Sequence, residues 1–211
     1  MSDPQPFRTV ASRARATFEI RRSEFIGYIA PVETVEEAAA FVDEVRNRHA
    51  DATHNVPAYR VPAGEPSRSR PTGEAMLREY ASDDGEPTGS AGKPALNVLV
   101  QQDLRNVAAV VTRYYGGTNL GVGGLARAYS RGVKEAIDAA GITERVPHEQ
   151  FTATVEYDDS GTVRGILESA GVEFDATYES EVSFSVRVPI DAAAALRERL
   201  NDATSGRVAI E

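Results

Sequence analysis

Five glycines fall within nine residues, at positions 116, 117, 121, 123 and 124, between an apolar run, NVAAVVTRY (106–114), and a helical pattern that lasts to Ala140. Glycine is used where the backbone needs positive φ or the close approach of another group. The stretch therefore demands a strand, a shaped loop and a helix in that order. Past the loop, Leu125, Tyr129, Val133, Ala136, Ile137 and Ala140 recur at the helical i, i+3, i+4 spacing, while Arg127, Arg131 and Lys134 fall on the opposite side. The helix is amphipathic with a basic outer stripe. A glycine loop opening a helix leaves backbone N–H groups free, and with the helix dipole they favour an anion such as phosphate. The apolar run reads as a buried central strand delivering Arg113 to the sheet's edge.

The rest of the chain is organised around this unit. Residues 1–16 carry arginines and prolines without a period and read as an arm. FEI and EFIGYIAPV, separated by the polar RRS, predict a hairpin or a bent strand. Thr34 and Glu37 form a capping box ahead of Val35, Ala38, Val42 and Val45, which predicts a helix over 34–48. HNVPAYRV (54–61) reads as an edge or bulged strand because of Pro57. PAGEPSRSRPTGEA reads as a mobile, solvated loop. A short strand, a turn and a helix starting near Pro94 follow, with Leu96, Leu99 and Val100 facing inward. After a turn at 143–147 the alternation restarts in Phe151–Tyr157, Val172–Tyr178 and Val182–Ile190, with one helix between the first two and another, capped by Asp191, after the third; Val208 and Ile210 close the chain. That order, βαββαβ, is the ferredoxin-like, split-βαβ arrangement, so the expected domains are residues 1–147 and 148–211 of an α+β protein.

Composition narrows the chemistry. There is no cysteine, which excludes disulfides and sulfur-ligated metals. No run of about 18 apolar residues occurs and the N-terminus has no apolar signal core, so a cytoplasmic protein without a membrane partner is expected. The net charge is −9, and all basic residues except Lys93 and Lys134 are arginines. Acidity with so little lysine reads as a salt-adapted, halophilic surface, so it does not exclude nucleic acid as a partner. Of 32 acidic and 23 basic residues, 13 and 5 lie in 148–211, leaving 19 and 18 in the rest. An anionic partner should meet the N-terminal part.

DDGEPTGSAGKPAL (83–96) followed by VVTRYYGGTNLGVGGLARAY (110–129) resembles the YigZ/IMPACT family. The similarity extends upstream through HNVPAYR and, with the βαββαβ unit, matches the two-domain bacterial and archaeal form; Tyr115 and Val56 stand where phenylalanine and cysteine are more usual. The resemblance implies an N-terminal domain like the second domain of ribosomal small-subunit protein five. It implies a C-terminal domain similar to the last domain of elongation factor G. Eukaryotic relatives regulate translation by competing with a general-control kinase for its activating partner, a role that involves an additional domain with no counterpart in this sequence.

Three site readings stand side by side. Arg113, Tyr114, Gly116, Gly117, Gly121, Gly123, Gly124, Arg127 and Arg131 form a candidate anion or nucleic-acid site, with Tyr114, Tyr115 and Tyr129 able to stack bases; equally, the glycines serve strand–helix packing and the tyrosines the core. No Walker pattern is present, and TGSAG misses the nucleophile elbow at Thr88, so a Ser90–His54–Asp84 triad has no support and His54 reads as a structural residue near the acidic turn. Asp83, Asp84 and Glu86 are either weak Mg²⁺ candidates or an acidic turn, ion-paired with Arg113 if the two are close. The preferred reading is a translation-associated regulatory protein that binds RNA, the ribosome or a translation factor, without DNA sequence specificity, cofactor or catalytic residues. The alternatives are a Mg²⁺-dependent enzyme acting on a small phosphorylated or nucleotide ligand, and a protein-interaction scaffold.

Overall fold

A computed structural model describes residues 6–63 and 76–211. The loop expected over 62–75 lies, from residue 64 on, outside the described residues, as do positions 1–5 of the expected arm. Two compact units divide the chain, residues 7–63 with 76–145, and Val146–Glu211.

The first unit is built on a five-stranded antiparallel sheet of β2 (Ala14–Ile20), β3 (Ser23–Pro31), β4 (His54–Pro62), β5 (Leu77–Ala81) and β6 (Val107–Tyr114), in the order β2-β3-β6-β4-β5. Helix α1 (Val35–Arg48) covers one face through Ala38, Phe41, Val42 and Val45, packed with Tyr28, Ala108 and Val110. Helices α2 (Gly92–Gln101) and α3 (Val122–Ala140) cover the other, against Phe25, Ile29, Val56, Ala109 and Val111. With helices on both faces the central strand β6 is continuously apolar from Val107 to Val111, before Thr112 and Arg113. Thr34 caps α1 by accepting from the Glu37 amide, as the capping box predicts.

Several elements differ from the sequence-based expectation. The described part of the arm holds β-structure: β1 (Phe7–Val10) pairs with β7 (Ile142–Arg145), the latter lying in the stretch read as a turn, and residues 14–16 already belong to β2. Strand β4 is interior, not an edge. Pro57 is tolerated because its carbonyl accepts from the Ser82 amide just past the last β4–β5 pair, Ala58 with Ala81, so its missing N–H falls where that ladder stops. In α2 the inward residues are Ala95, Val98 and Leu99, with Leu96 half-buried and Val100 exposed.

The second unit runs β8 (His148–Val155), α4 (Tyr157–Ala170), β9 (Glu173–Tyr178), β10 (Val182–Pro189), α5 (Ile190–Ala203) and β11 (Ala209–Ile210), the βαββαβ order, with an antiparallel sheet ordered β11-β8-β10-β9. Phe151, Ala153, Val155, Val182, Phe184, Val186 and Val188 meet Val163, Leu167, Leu196 and Leu200 in one core. Asp191 lies in the first turn of α5 and does not cap it; the N-cap is Pro189. Among the described residues, no helix is long and apolar enough to cross a membrane.

Candidate functional site

Strand periodicity decides where the motif side chains go. Arg113 shares parity with Val107, Ala109 and Val111, so it points under α3, whereas Tyr114, one residue on, points to the α1 face. The register places Phe25 and His54 on either side of Arg113. Only 4% of Arg113 is exposed. Its Nη1 donates to Glu86 Oε1 at 2.6 Å, and its guanidinium packs over the rings of Phe25 and Tyr115. Tyr129, from α3, donates its hydroxyl to the same Glu86 oxygen at 2.8 Å. Burial, reinforced by the adjacent Glu86 carboxylate, pushes the Tyr129 hydroxyl far above the ordinary tyrosine range. Arg113 is therefore an internal cation joining the acidic turn to the sheet, not a surface anion contact.

The three carboxylates of the acidic turn diverge. Asp83 accepts from the amides of Gly89 (2.7 Å), Ala91 (3.0 Å) and Gly92 (2.8 Å), capping α2, whose own N-cap Ala91 supplies no side-chain bond. Burial works against the Asp83 charge, yet these three N–H bonds together hold its carboxyl below the usual range. Asp84, at φ 47°, accepts from the Asn55 amide at 2.6 Å and pairs with Arg46 at 3.2 Å. Its carbonyl accepts from His54 Nδ1 at 2.7 Å, which leaves His54 Nε2 facing Glu86 at 3.8 Å. Because each carboxylate is committed to its own donors, Asp83, Asp84 and Glu86 do not converge on a point where a cation could sit. Among the described residues no cluster of three His, Asp or Glu could hold a metal. Ser90, buried and with no hydrogen-bond partner for its hydroxyl among the described residues, is not bonded to His54, whose Nδ1 is taken by Asp84.

On the α1 face Tyr114 joins a chain in which Tyr28 donates to His49 Nε2 (2.7 Å), His49 Nδ1 donates to the Tyr114 hydroxyl (2.8 Å), and Tyr114 donates to Asp51 (3.0 Å). Burial first, then the neighbouring Arg48 charge, lower the His49 pKa, so the neutral ring suits this chain. Arg113 and Tyr114 consequently belong to separate networks on opposite faces of the sheet, and Tyr114 is no part of the glycine loop's surface.

The glycines also divide by role. At Gly116 a Cβ would lie 2.0 Å from the Arg22 carbonyl carbon, so the loop presses directly on the β2–β3 turn, and the Gly116 amide donates to Ser23 Oγ. Gly117 and Gly121 have φ of 82° and 70°, with open space where a Cβ would stand. Gly124 fits closely over Leu120, and Gly123 has only Arg127 Nη1 beside it, 3.6 Å from the position of a Cβ. Gly121 is the N-cap of α3, which has no acidic residue in its first turn and no side-chain cap among the described residues, so its leading N–H groups are left without a side-chain acceptor there. Arg127 bends toward that turn, and Ala126, Arg127, Ser130, Arg131 and Lys134 line a shallow open depression along the helix. Arg131 is tied to Glu135 at 2.6 Å and stacked over Phe18.

Two cations that the sequence reading passed over belong to this surface. Arg22 donates to Thr118 Oγ1 and Arg21 to the Asn119 carbonyl, so the β2–β3 turn lies against the glycine loop from the other side. The signal was the RRS between two β-type runs, which marked a turn but not its neighbour in space. The surface that results combines a bare loop, a free helix N-terminus, Arg21, Arg22 and Arg127, with Arg131 and Lys134 continuing it.

The glycine loop and the acidic turn both lie inside the region that matches a known domain. Residues 21–137 match the Impact N-terminal domain, and residues 154–207 match a domain of unknown function, DUF1949. IMPACT family member YvyE of Bacillus subtilis is 34% identical over 94% of this chain and 87% of its own length; IMPACT family member YigZ of Escherichia coli is 36% identical over 89% and 88%. A crystal structure of a hypothetical protein, 33% identical, superposes with a TM-score of 0.70 over 98% of this chain and 96% of that one. With both domains matched and about a third of the residues identical to these relatives over most of the chain, the chain belongs to the IMPACT family.

Proposed function

We propose that this protein is a translation-associated regulatory protein of the cytoplasm, and that it meets RNA on the ribosome through the glycine loop and the arginines around it. The observation that carries this reading is the coincidence, on one exposed surface, of the uncapped α3 N-terminus, the bare backbone at Gly117 and Gly121, and the Arg21, Arg22 and Arg127 side chains. Such a surface offers backbone N–H donors and planar guanidinium forks, the groups that bind phosphate oxygens without reading sequence. Family membership supports the translation role, because eukaryotic members are regulators of translation. The domain likenesses belong to the same reading: the first unit to the second domain of ribosomal small-subunit protein five, and the second, supported by its β11-β8-β10-β9 order, to the last domain of elongation factor G.

The open sheet face of the second unit supports this role less well. Gln150, Thr152, Thr154, Glu173, Asp175, Ser183, Ser185 and Arg187 form the outward face of its sheet, which lacks the aromatic pairs that stack bases in ferredoxin-like RNA readers. The Mg²⁺-dependent enzyme loses its metal ligands to the internal bonds of Asp83, Asp84 and Glu86.

Co-sedimentation with ribosomes from the source cells, in their native salt, tests the proposal with wild type beside Arg127→Ala/Arg131→Ala. The wild type is expected to travel with the ribosome and the double variant to stay at the top of the gradient. A wild type that stays at the top overturns the reading.

A further inference from the structure

The turn between β2 and β3 is built from residues poorly suited to it. Ile20 pairs with Ser23, so Arg21 and Arg22 are the entire loop. Both have positive φ, 47° and 68°, the backbone of the two-residue hairpin class that favours Asn-Gly. A Cβ is strained there, and only glycine and short polar residues enter this region readily. The other described non-glycine residues at positive φ obey that rule: Asp84, Asp103, Asn106 and Ser205. The two arginines are the only long side chains placed there among the described residues. Strain of this kind persists at functional positions, where the side chain is kept for what it does.

Local structure does not explain the arginines. Glu19 and Glu24 face each other across the strands next to the turn, yet neither Arg21 nor Arg22 forms an ion pair among the described residues. Both are exposed. Arg22 Nη2 gives one bond to Thr118 Oγ1 at 3.1 Å, and Arg21 Nη1 gives one to the Asn119 carbonyl at 3.4 Å. Each guanidinium has five N–H donors, so most remain available after these contacts. The contacts aim the two forks over the glycine loop, and the close approach of Gly116 to the Arg22 backbone fixes the turn in place. Beside them, 46% of Tyr115 is exposed, its hydroxyl donating to Asn119.

We infer that Arg21 and Arg22 form a phosphate clamp for single-stranded RNA, closing over the backbone of a strand that lies along the glycine loop with a base stacked on Tyr115. The inference rests on the RNA reading proposed above and adds its principal contact. RNA fits better than an acidic protein for two reasons. Bare backbone at Gly117 and Gly121 lets a sugar-phosphate chain approach the N–H groups, and an exposed aromatic ring beside paired arginines is the arrangement on which unpaired bases stack.

The test uses a substitution that should improve folding while removing function. Arg21→Asn/Arg22→Gly, in the full chain, installs the pair that this hairpin class prefers. Thermal unfolding is measured beside the anisotropy of a fluorescent oligouridylate of about 12 nucleotides, over a salt series, for wild type, this variant and Arg127→Ala/Arg131→Ala. The clamp predicts a melting temperature raised by about 4 °C or more, affinity reduced about tenfold or more, and a log affinity–log salt slope smaller by about 1.4, for two phosphate contacts. If the Asn-Gly variant binds as tightly as wild type while the Arg127/Arg131 variant does not, the clamp is overturned and the RNA reading survives. If wild type fails to bind the oligonucleotide, both fall. An unchanged or lower melting temperature removes the strain argument, and competition by polyglutamate equal to that by RNA reassigns the turn to an acidic protein partner.

Discussion

Replacing Glu86 with alanine removes the carboxylate on which the acidic turn, the central strand and α3 converge. Its Oε1 accepts from Arg113 at 2.6 Å and Tyr129 at 2.8 Å, and the Glu86 and Arg113 side chains are 4% and 5% exposed. Breaking a buried ion pair by removing one partner costs about 3–5 kcal/mol, because the remaining charge is left uncompensated. The Tyr129 hydroxyl also loses its acceptor, a further cost of about 1–3 kcal/mol. The two losses share one oxygen and will not add in full, so the expected destabilisation is about 4–6 kcal/mol. Against a domain stability of about 5–15 kcal/mol this is a large fraction. Urea unfolding should show a much lower midpoint with an unchanged slope. Glu86→Leu/Arg113→Met, which removes both charges and keeps volume, should recover most of the loss. A Glu86→Ala protein within about 1 kcal/mol of wild type would refute the reasoning, since a buried, unpaired Arg113 cannot be that cheap.

Gly27→Ala should cost about 3 kcal/mol or more, because its Cβ would lie 2.1 Å from the Gly132 carbonyl oxygen and push α3 off β3. Gly132→Ala should cost less, about 1–2 kcal/mol, since its Cβ meets the buried, β-branched Val111 side chain at 2.9 Å rather than backbone and the helix preference for alanine offsets part of that overpacking; equal losses in urea unfolding would contradict this ordering. Asp83→Ala uncaps α2 and should cost about 2 kcal/mol at neutral pH. The Asp83 carboxyl lies below its ordinary value of 3.8 in the folded state, so its contribution is complete above that pH and is lost as pH falls through the folded value. The variant should therefore lose less stability on acidification than wild type. His49 is lowered from 6.5 by burial and Arg48, so it supports folding fully above about pH 6.5 and progressively less as pH falls through its folded value. Unfolding curves at pH 7 and pH 5 should converge when His49 is replaced by glutamine, and an unchanged pH response would show that the Tyr28–His49–Tyr114 chain does not select the neutral ring.

How much could be read in advance depended on how many sides of each element are covered. The second unit's strands each have one buried face, so alternation such as Val182, Phe184, Val186 and Val188 announced them directly. Helix α3 was equally plain, because Leu125, Tyr129 and Val133 are buried while Arg127, Arg131 and Lys134 are exposed. Strand β6 is covered on both faces, which erased its alternation and let Arg113 and Tyr114 be grouped into one site although the pleat sends them apart. Counting parity back from Val111 would have separated them. Pro57 misled for a different reason: the edge rule concerns the missing N–H, and here that vacancy falls beyond the end of β5. Nothing local in the sequence places Arg21 and Arg22 against Thr118 and Asn119, a contact made across almost a hundred residues by the β3–β6 pairing.

Amide hydrogen exchange with and without ribosomes tests the central claim most directly. The account predicts that slowed exchange on ribosome addition concentrates at the glycine loop, the first turn of α3 at Val122, Gly123 and Gly124, and the Arg21–Arg22 turn. Protection confined to the second unit, or no protection at these positions while the protein is bound, would contradict it.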